Sequence, residues 1–271
     1  SGNRTLPLPY SLFLIDEAQD LTGLMIDVIN SALELAPDPA AMVVGDHRQE
    51  IYGFTHGGEP HVVLARPDMC FEHCRRPWVH RKLQQSFRVS RPTADFLNGM
   101  LRHPADDPMV GVASEGMRKP IYVIGEMRSG AGIDMVLHEL LETYRPDQIA
   151  ILAPSVNGSD YGCPRLAAML ADRLSISLFT THKQRADVTD DLLKGKLLVS
   201  TYHQSKGDER EAVIVLGVDE RQYRQDGYPV RDDAPVVRNA LHVACTRART
   251  QLVLFHEHTV PAYPGIDMNE L

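Results

Sequence analysis

The sequence is poor in the features that mark a secreted, membrane-spanning or strongly polyanion-attracting protein. No apolar run approaches the roughly 20 residues needed to cross a bilayer. The first residues show no charged stretch followed by an apolar core and a cleavage site. Four cysteines in 271 residues are too few for a disulfide-stapled scaffold. Cys70 and Cys74 lie near His73 and His80, but the spacing is loose and no second cysteine pair answers them, so reduced thiols are expected rather than a zinc site. Basic residues are in the minority: 28 Lys and Arg against 36 Asp and Glu give a net charge of −8. Bulk attraction to a polynucleotide is thereby excluded, and any such contact must come from a local groove. The chain opens Ser1-Gly2, which reads as a processed or recombinant start. The expectation is a cytoplasmic protein without membrane contact.

What is present is alternation. Apolar runs rich in β-branched residues recur at 11–15, 41–44, 121–124, 148–152, 197–201, 212–216 and 251–255. Between them, 24–35, 91–101, 133–144, 165–174 and 236–248 carry helical periodicity. Continuous apolar strands alternating with helices predict an α/β architecture, with parallel sheets covered by helices on both faces. Prolines and dense charge at 66–80 place a boundary there, giving units 1–78 and 79–271. Residues 104–119 and 221–235 read as polar loops.

Two segments carry the chemistry. The strand 12–15 runs into Asp16-Glu17-Ala18-Gln19-Asp20, so adjacent carboxylates fall at the carboxyl edge of a parallel sheet, where such folds bind ligands. Phosphoryl transfer from a nucleotide needs a carboxylate on the metal and a group that orients the attacking water. Asp16 suits Mg²⁺ and Glu17 the water. A second strand ends in Gly45-Asp46, followed by Gln49, Tyr52 and Phe54. There Gln49 is placed to hydrogen-bond a terminal phosphate, and the aromatics to stack on bases, worth about 1–3 kcal/mol each.

On these residues the sequence resembles the UvrD/Rep group of superfamily 1 helicases. Asp16–Asp20 is similar to their motif II and Gly45–Phe54 to motif III, while Gln84-Gln85-Ser86-Phe87-Arg88-Val89-Ser90 resembles motif IV. The stretch from Leu198 through Thr201, His203 and Lys206-Gly207 to Glu209 resembles motif V, and Asn239 through Thr246-Arg247 motif VI. The resemblance implies one partial and one complete RecA-like (P-loop NTPase) motor domain. Its implied ligands are ATP with Mg²⁺ and single-stranded DNA, with 3′→5′ movement. It implies that Arg88 and Arg247 neutralise transferring phosphate, Gly207 and Glu209 contact nucleotide, and Thr201 and His203 lie near the strand.

The departures are specific. No Gly-x-x-x-x-Gly-Lys-[Ser/Thr] occurs; Gly195-Lys196 has Asp190 where the first glycine belongs and Leu197 after it. The family carries that loop upstream of motif II, so an absent N-terminal motor segment is expected, and this chain alone is expected to be inactive. Thr55-His56-Gly57 stands where the family usually has arginine and glycine, and Asp208 replaces an apolar residue. No room exists between Arg88 and Thr201 for the large accessory insertion of bigger members. Two alternatives stand beside the DNA motor: a catalytically inactive, helicase-derived binding or regulatory module, and an RNA-directed motor of the same superfamily.

Overall fold

The computed structural model describes residues 8–52, 62–100, 108–112, 117–157, 161, 163, 165, 166, 168, 178–180, 193–225 and 239–266. The chain divides into two units, Ser1–Lys82 and Leu83–Leu271.

In the first unit, β1 (Leu12–Ile15) and β2 (Ala40–Val43) pair in parallel, Leu12 opposite Ala40 and Ile15 opposite Val43. Parallel neighbours need a crossover, and α1 (Gly23–Glu34) supplies it. Thr22 starts the helix by accepting the Met25 N–H on its hydroxyl at 3.3 Å. Ile26, Ile29 and Leu33 recur at helical spacing and pack with Phe13, Ile15, Ala41 and Val43 into the core. That core also holds Phe71, just after the one-turn helix α2 (Pro67–Cys70), and Trp78, whose ring lies 6.2 Å from that of Phe71. Side chains alternate along a strand, so Leu12, Leu14 and Met42 fall on the opposite face and are 67%, 68% and 56% exposed. Full burial of one such side chain is worth about 1.5–3 kcal/mol. The face is therefore apolar but uncovered among the described residues.

The second unit is built on six parallel strands: β5 (Ile121–Gly125), β6 (Ile149–Ala153), β7 (Leu178–Thr180), β8 (Leu197–Thr201), β9 (Arg210–Leu216) and β10 (Ala248–Glu257). Their spatial order is β5-β10-β9-β6-β8-β7. Ile149, Ile151, Val199, Ile214 and Phe255 bury one face beneath Ile133, Leu137 and Leu140 of α4 (Ala131–Leu141). Ala150, Leu152, Leu198, Val213, Val215 and Leu254 are as fully buried on the other. Both faces are thus covered, which is why these strands read as unbroken apolar runs. Short helices α5 (Glu220–Gln225) and α6 (Asn239–Cys245) follow β9, and every residue of α6 from Ala240 onward is buried. The parallel sheets with flanking helices make this an α/β protein.

Besides α5, whose residues 221–225 fall in the stretch 221–235 read as loop, three placements differ from the sequence reading. Residues 85–90 form a strand, β3 (Gln85–Ser90), so Arg88 lies within it; its polar residues Gln85, Ser86, Arg88 and Ser90 hide it from an apolar-run search. β3 pairs in parallel with β4 (Val110–Val112) through α3 (Arg91–Met100), and β4 lies inside the stretch read as loop. There Asn98 grips Met109, donating to its carbonyl at 2.8 Å and accepting its N–H at 2.9 Å. Third, α6 ends at Cys245, and Arg247 belongs to the turn before β10. Most of the helix expected at 165–174 lies outside the described residues.

Candidate functional site

Because β1 and β2 are parallel and in register, their carboxyl ends emerge side by side. The pairing continues beyond them: Val44 N–H donates to the Ile15 carbonyl at 2.8 Å and Ala18 N–H to the Val44 carbonyl at 3.0 Å. Glu17 turns the chain out of the strand in the left-handed region, φ 51° and ψ 37°. For a non-glycine residue this costs about 1 kcal/mol or more, so surrounding bonds must hold it.

Those bonds are visible. Asp16 Oδ1 accepts the Glu17 N–H at 2.8 Å. Gln19, fully buried, donates from Nε2 to Glu17 Oε2 and accepts the Asp46 N–H on Oε1 at 2.9 Å. Asp46 Oδ1 accepts the Arg48 N–H at 2.9 Å, and its Oδ2 accepts Gln49 Nε2 at 3.0 Å. Gly45 permits this closeness: a Cβ there would stand 2.5 Å from Gln19 Oε1 and 3.1 Å from Ala18 N. The structure thus brings Asp16, Glu17 and Gln49 to one edge. Gln19, Gly45 and Asp46 are the residues that sequence reasoning left without a role. The Gln19–Asp46 bond spans 27 positions, a distance no local pattern reveals. Tyr52 is half-buried just beyond, and Phe54 lies outside the described residues.

Asp16 is exposed, and its second carboxylate oxygen keeps no hydrogen bond among the described residues. That suits a hard divalent cation, since Mg²⁺ takes one or two protein carboxylates and completes its shell with water and substrate phosphate. No group of three or more His, Cys, Asp or Glu able to hold a metal occurs among the described residues, so the protein offers no complete metal cage there.

In the second unit the expected residues separate into two places. Thr201 ends β8 opposite Ala153, while Ala212 of β9 is opposite Ile149. Residues 202–209 therefore return from the carboxyl edge of the sheet to its amino edge, a span of roughly 20 Å at about 3.3 Å per residue. At the carboxyl edge, Thr201 Oγ1 accepts the Gln204 N–H at 3.1 Å and donates to Gln204 Oε1 at 3.2 Å, beside the half-buried His203. Tyr202 points inward, its hydroxyl donating to the Leu216 carbonyl. Gly207, at φ +87°, makes the turn toward Glu209. At the amino edge, Arg249 NH1 binds Glu209 Oε1 at 3.0 Å and its Nε lies 3.7 Å from Glu211 Oε1. Arg247 is buried: Nε donates to the Val243 carbonyl at 2.9 Å, NH2 to Thr246 Oγ1 at 3.0 Å and NH1 to the Asp208 carbonyl at 3.3 Å. Arg88 contrasts with it, for its half-buried guanidinium makes no hydrogen bond or ion pair among the described residues, and its Nε is sequestered without a partner. The adjacent Phe87 side chain is 78% exposed.

The first unit thus carries carboxylates at the carboxyl edge of a parallel sheet, and the second carries an arginine whose guanidinium has no partner among the described residues. Comparison with known proteins is more specific. Residues 4–68 match the UvrD/REP helicase N-terminal domain, and residues 196–255 match the UvrD-like helicase C-terminal domain. One segment in each unit thus matches a UvrD-like helicase domain, as the motifs imply. The chain is also similar to a solved C-terminal domain of a possible DNA helicase from Lactobacillus plantarum WCFS1. The two are 20% identical, the match covers 65% of this chain and 90% of that one, and the TM-score is 0.41. No curated protein matches the chain.

Proposed function

We propose that the protein is an ATP-dependent, DNA-directed helicase or single-strand translocase of the UvrD/Rep type, moving 3′→5′. The observation that supports this best is the hydrogen-bonded array Glu17–Gln19–Asp46–Gln49, which holds the water-orienting and phosphate-sensing candidates in one rigid element. Asp16 would hold Mg²⁺ through its available oxygen, and the metal would neutralise charge on the transferring phosphate. Glu17 would orient water and Gln49 would meet the terminal phosphate. Arg88, Arg247, Gly207 and Glu209 would serve the nucleotide from the second unit, and Tyr52, Phe54, Thr201 and His203 would grip the strand.

The test is ATP hydrolysis, with and without single-stranded DNA, in a longer form of the protein carrying a phosphate-binding loop upstream of Asp16. DNA-stimulated turnover that Glu17→Gln abolishes supports the reading; no stimulation in the parent protein refutes it. Absence of the Gly-x-x-x-x-Gly-Lys-[Ser/Thr] pattern from these 271 residues favours one second reading, a binding module without hydrolysis. That module would bind DNA with unchanged affinity whether or not ATP is present. Comparing single-stranded DNA with RNA at one stated salt concentration separates the DNA motor from an RNA-directed one.

A further inference from the structure

Glu17 and Gln49 sit on different loops. Gln19 lies between the two loops. Its side chain is 1% exposed and uses both ends of its amide: Nε2 on the Glu17 carboxylate, Oε1 on the Asp46 N–H. Asp46 in turn fixes Gln49 through Oδ2 and the start of its 3₁₀ turn through Oδ1. A planar amide cannot move one end without moving the other, and its burial denies it water as a substitute partner. Gly45 leaves it no slack on the third side.

We propose that Gln19 is a positioning residue that couples the orientation of the Glu17 carboxylate to the Asp46–Gln49 turn, so that a change at either is felt at the other. Its bearing on hydrolysis rests on the functional reading above; the coupling itself does not. Through this link a change in how Glu17 is engaged would reach the turn that leads on to Tyr52. Glu17 in turn would stay aligned only while the turn is in place.

The coupling is measured as a double-mutant cycle on one amide. Hydrogen exchange of the Asp46 N–H is followed by NMR in the 271-residue chain, in Glu17→Ala, in Gln19→Leu and in the double variant. Removing the Glu17 carboxylate is expected to speed Asp46 exchange by about threefold or more when Gln19 is present, and to add nothing in Gln19→Leu. Gln19→Glu guards against misfolding: it keeps shape and an acceptor for Asp46 but loses the donor to Glu17, so the Glu17→Ala effect should vanish or reverse. No effect of Glu17→Ala on Asp46 in the parent, or an equal effect with and without Gln19, overturns the coupling. In the longer, hydrolysing form, Gln19→Leu should lower kcat by about tenfold to a hundredfold, with KM for ATP within about twofold. An unchanged kcat beside an active parent overturns the positioning role. A parent without hydrolysis refutes the functional reading and leaves the exchange cycle to decide the coupling.

Discussion

Replacing Gly45 with alanine tests the packing on which the candidate site depends. The backbone accepts the change, because Gly45 is not among the residues at positive φ. The new methyl does not fit: it would stand 2.5 Å from Gln19 Oε1, with Ala18 N and Leu64 Cδ2 each at 3.1 Å. The main chain and Leu64 leave little room, so the Gln19 amide must swing away. It then loses a hydrogen bond from a backbone N–H, worth about 0.5–1.5 kcal/mol, and one to a carboxylate, about 1.5–3 kcal/mol when well desolvated. Glu17 is exposed, which puts the second value at its lower end. Alanine returns about 0.4–1 kcal/mol by restricting the unfolded chain. The net expectation is a loss of about 2 kcal/mol from the first unit. The single tryptophan reports it, since Trp78 packs in that unit's core against Phe71. In urea, with a slope of about 1–2 kcal/mol/M, the Trp78 fluorescence midpoint should fall by about 1–2 M. Gly23→Ala in α1, where a Cβ meets nothing within 4 Å, is the matched control and should hold or raise the midpoint. A Gly45→Ala midpoint equal to that of Gly23→Ala would refute the reasoning.

Burial pushes the thiols of Cys163 and Cys245 up to about 12, whereas Cys70 and Cys74 are only half-buried. A disulfide reagent at pH 8 should therefore titrate two thiols quickly and the other two only on unfolding; four fast thiols would contradict this. Because these pKa values are raised on folding, their stabilisation is fully present below the ordinary value of 9.0 and is lost as pH climbs toward 12. Each thiol accounts for about 1.4 kcal/mol per unit of pH in that window, so the urea midpoint of the second unit should drop between pH 9 and 11. Tyr202→Phe removes the hydroxyl that donates to the buried Leu216 carbonyl and should cost about 1–3 kcal/mol, read as thermal stability of the second unit. The 271-residue chain alone should hydrolyse ATP weakly or not at all, because its sequence lacks the Gly-x-x-x-x-Gly-Lys-[Ser/Thr] pattern that cradles the β- and γ-phosphates. Robust turnover would show that another element takes that role.

The elements that were legible in sequence are those whose burial leaves no alternative. β6 and β9 are covered on both faces, so Ile149–Ala153 and Ala212–Leu216 read as continuous apolar runs and fold as such. β3 was not legible because Gln85 and Phe87 are exposed and its polar residues, Gln85, Ser86, Arg88 and Ser90, suggest a loop. The same limit applies to the site. Asp16, Glu17 and Gln49 could be picked out because each follows an apolar strand. Gln19 is adjacent in sequence to residues that were picked out, yet its importance depends on a partner that only the parallel pairing of β1 and β2 brings near.

Arg247 shows where a family pattern and local geometry part. The resemblance gives it a place at the transferring phosphate, but here its guanidinium already donates to Val243, Thr246 and Asp208. Bonds from a charged donor are worth about 1.5–3 kcal/mol each when buried. Drawing Arg247 out would therefore demand several kcal/mol from a bound nucleotide, together with release of the turn that ends at Glu209. Arg88 faces no such demand, since its guanidinium has no partner to leave among the described residues. In the state described, Arg247 locks the 202–209 segment to the corner between α6 and β10. Losing the bond from Arg247 to the Asp208 carbonyl would loosen the segment that follows Thr201 and includes His203.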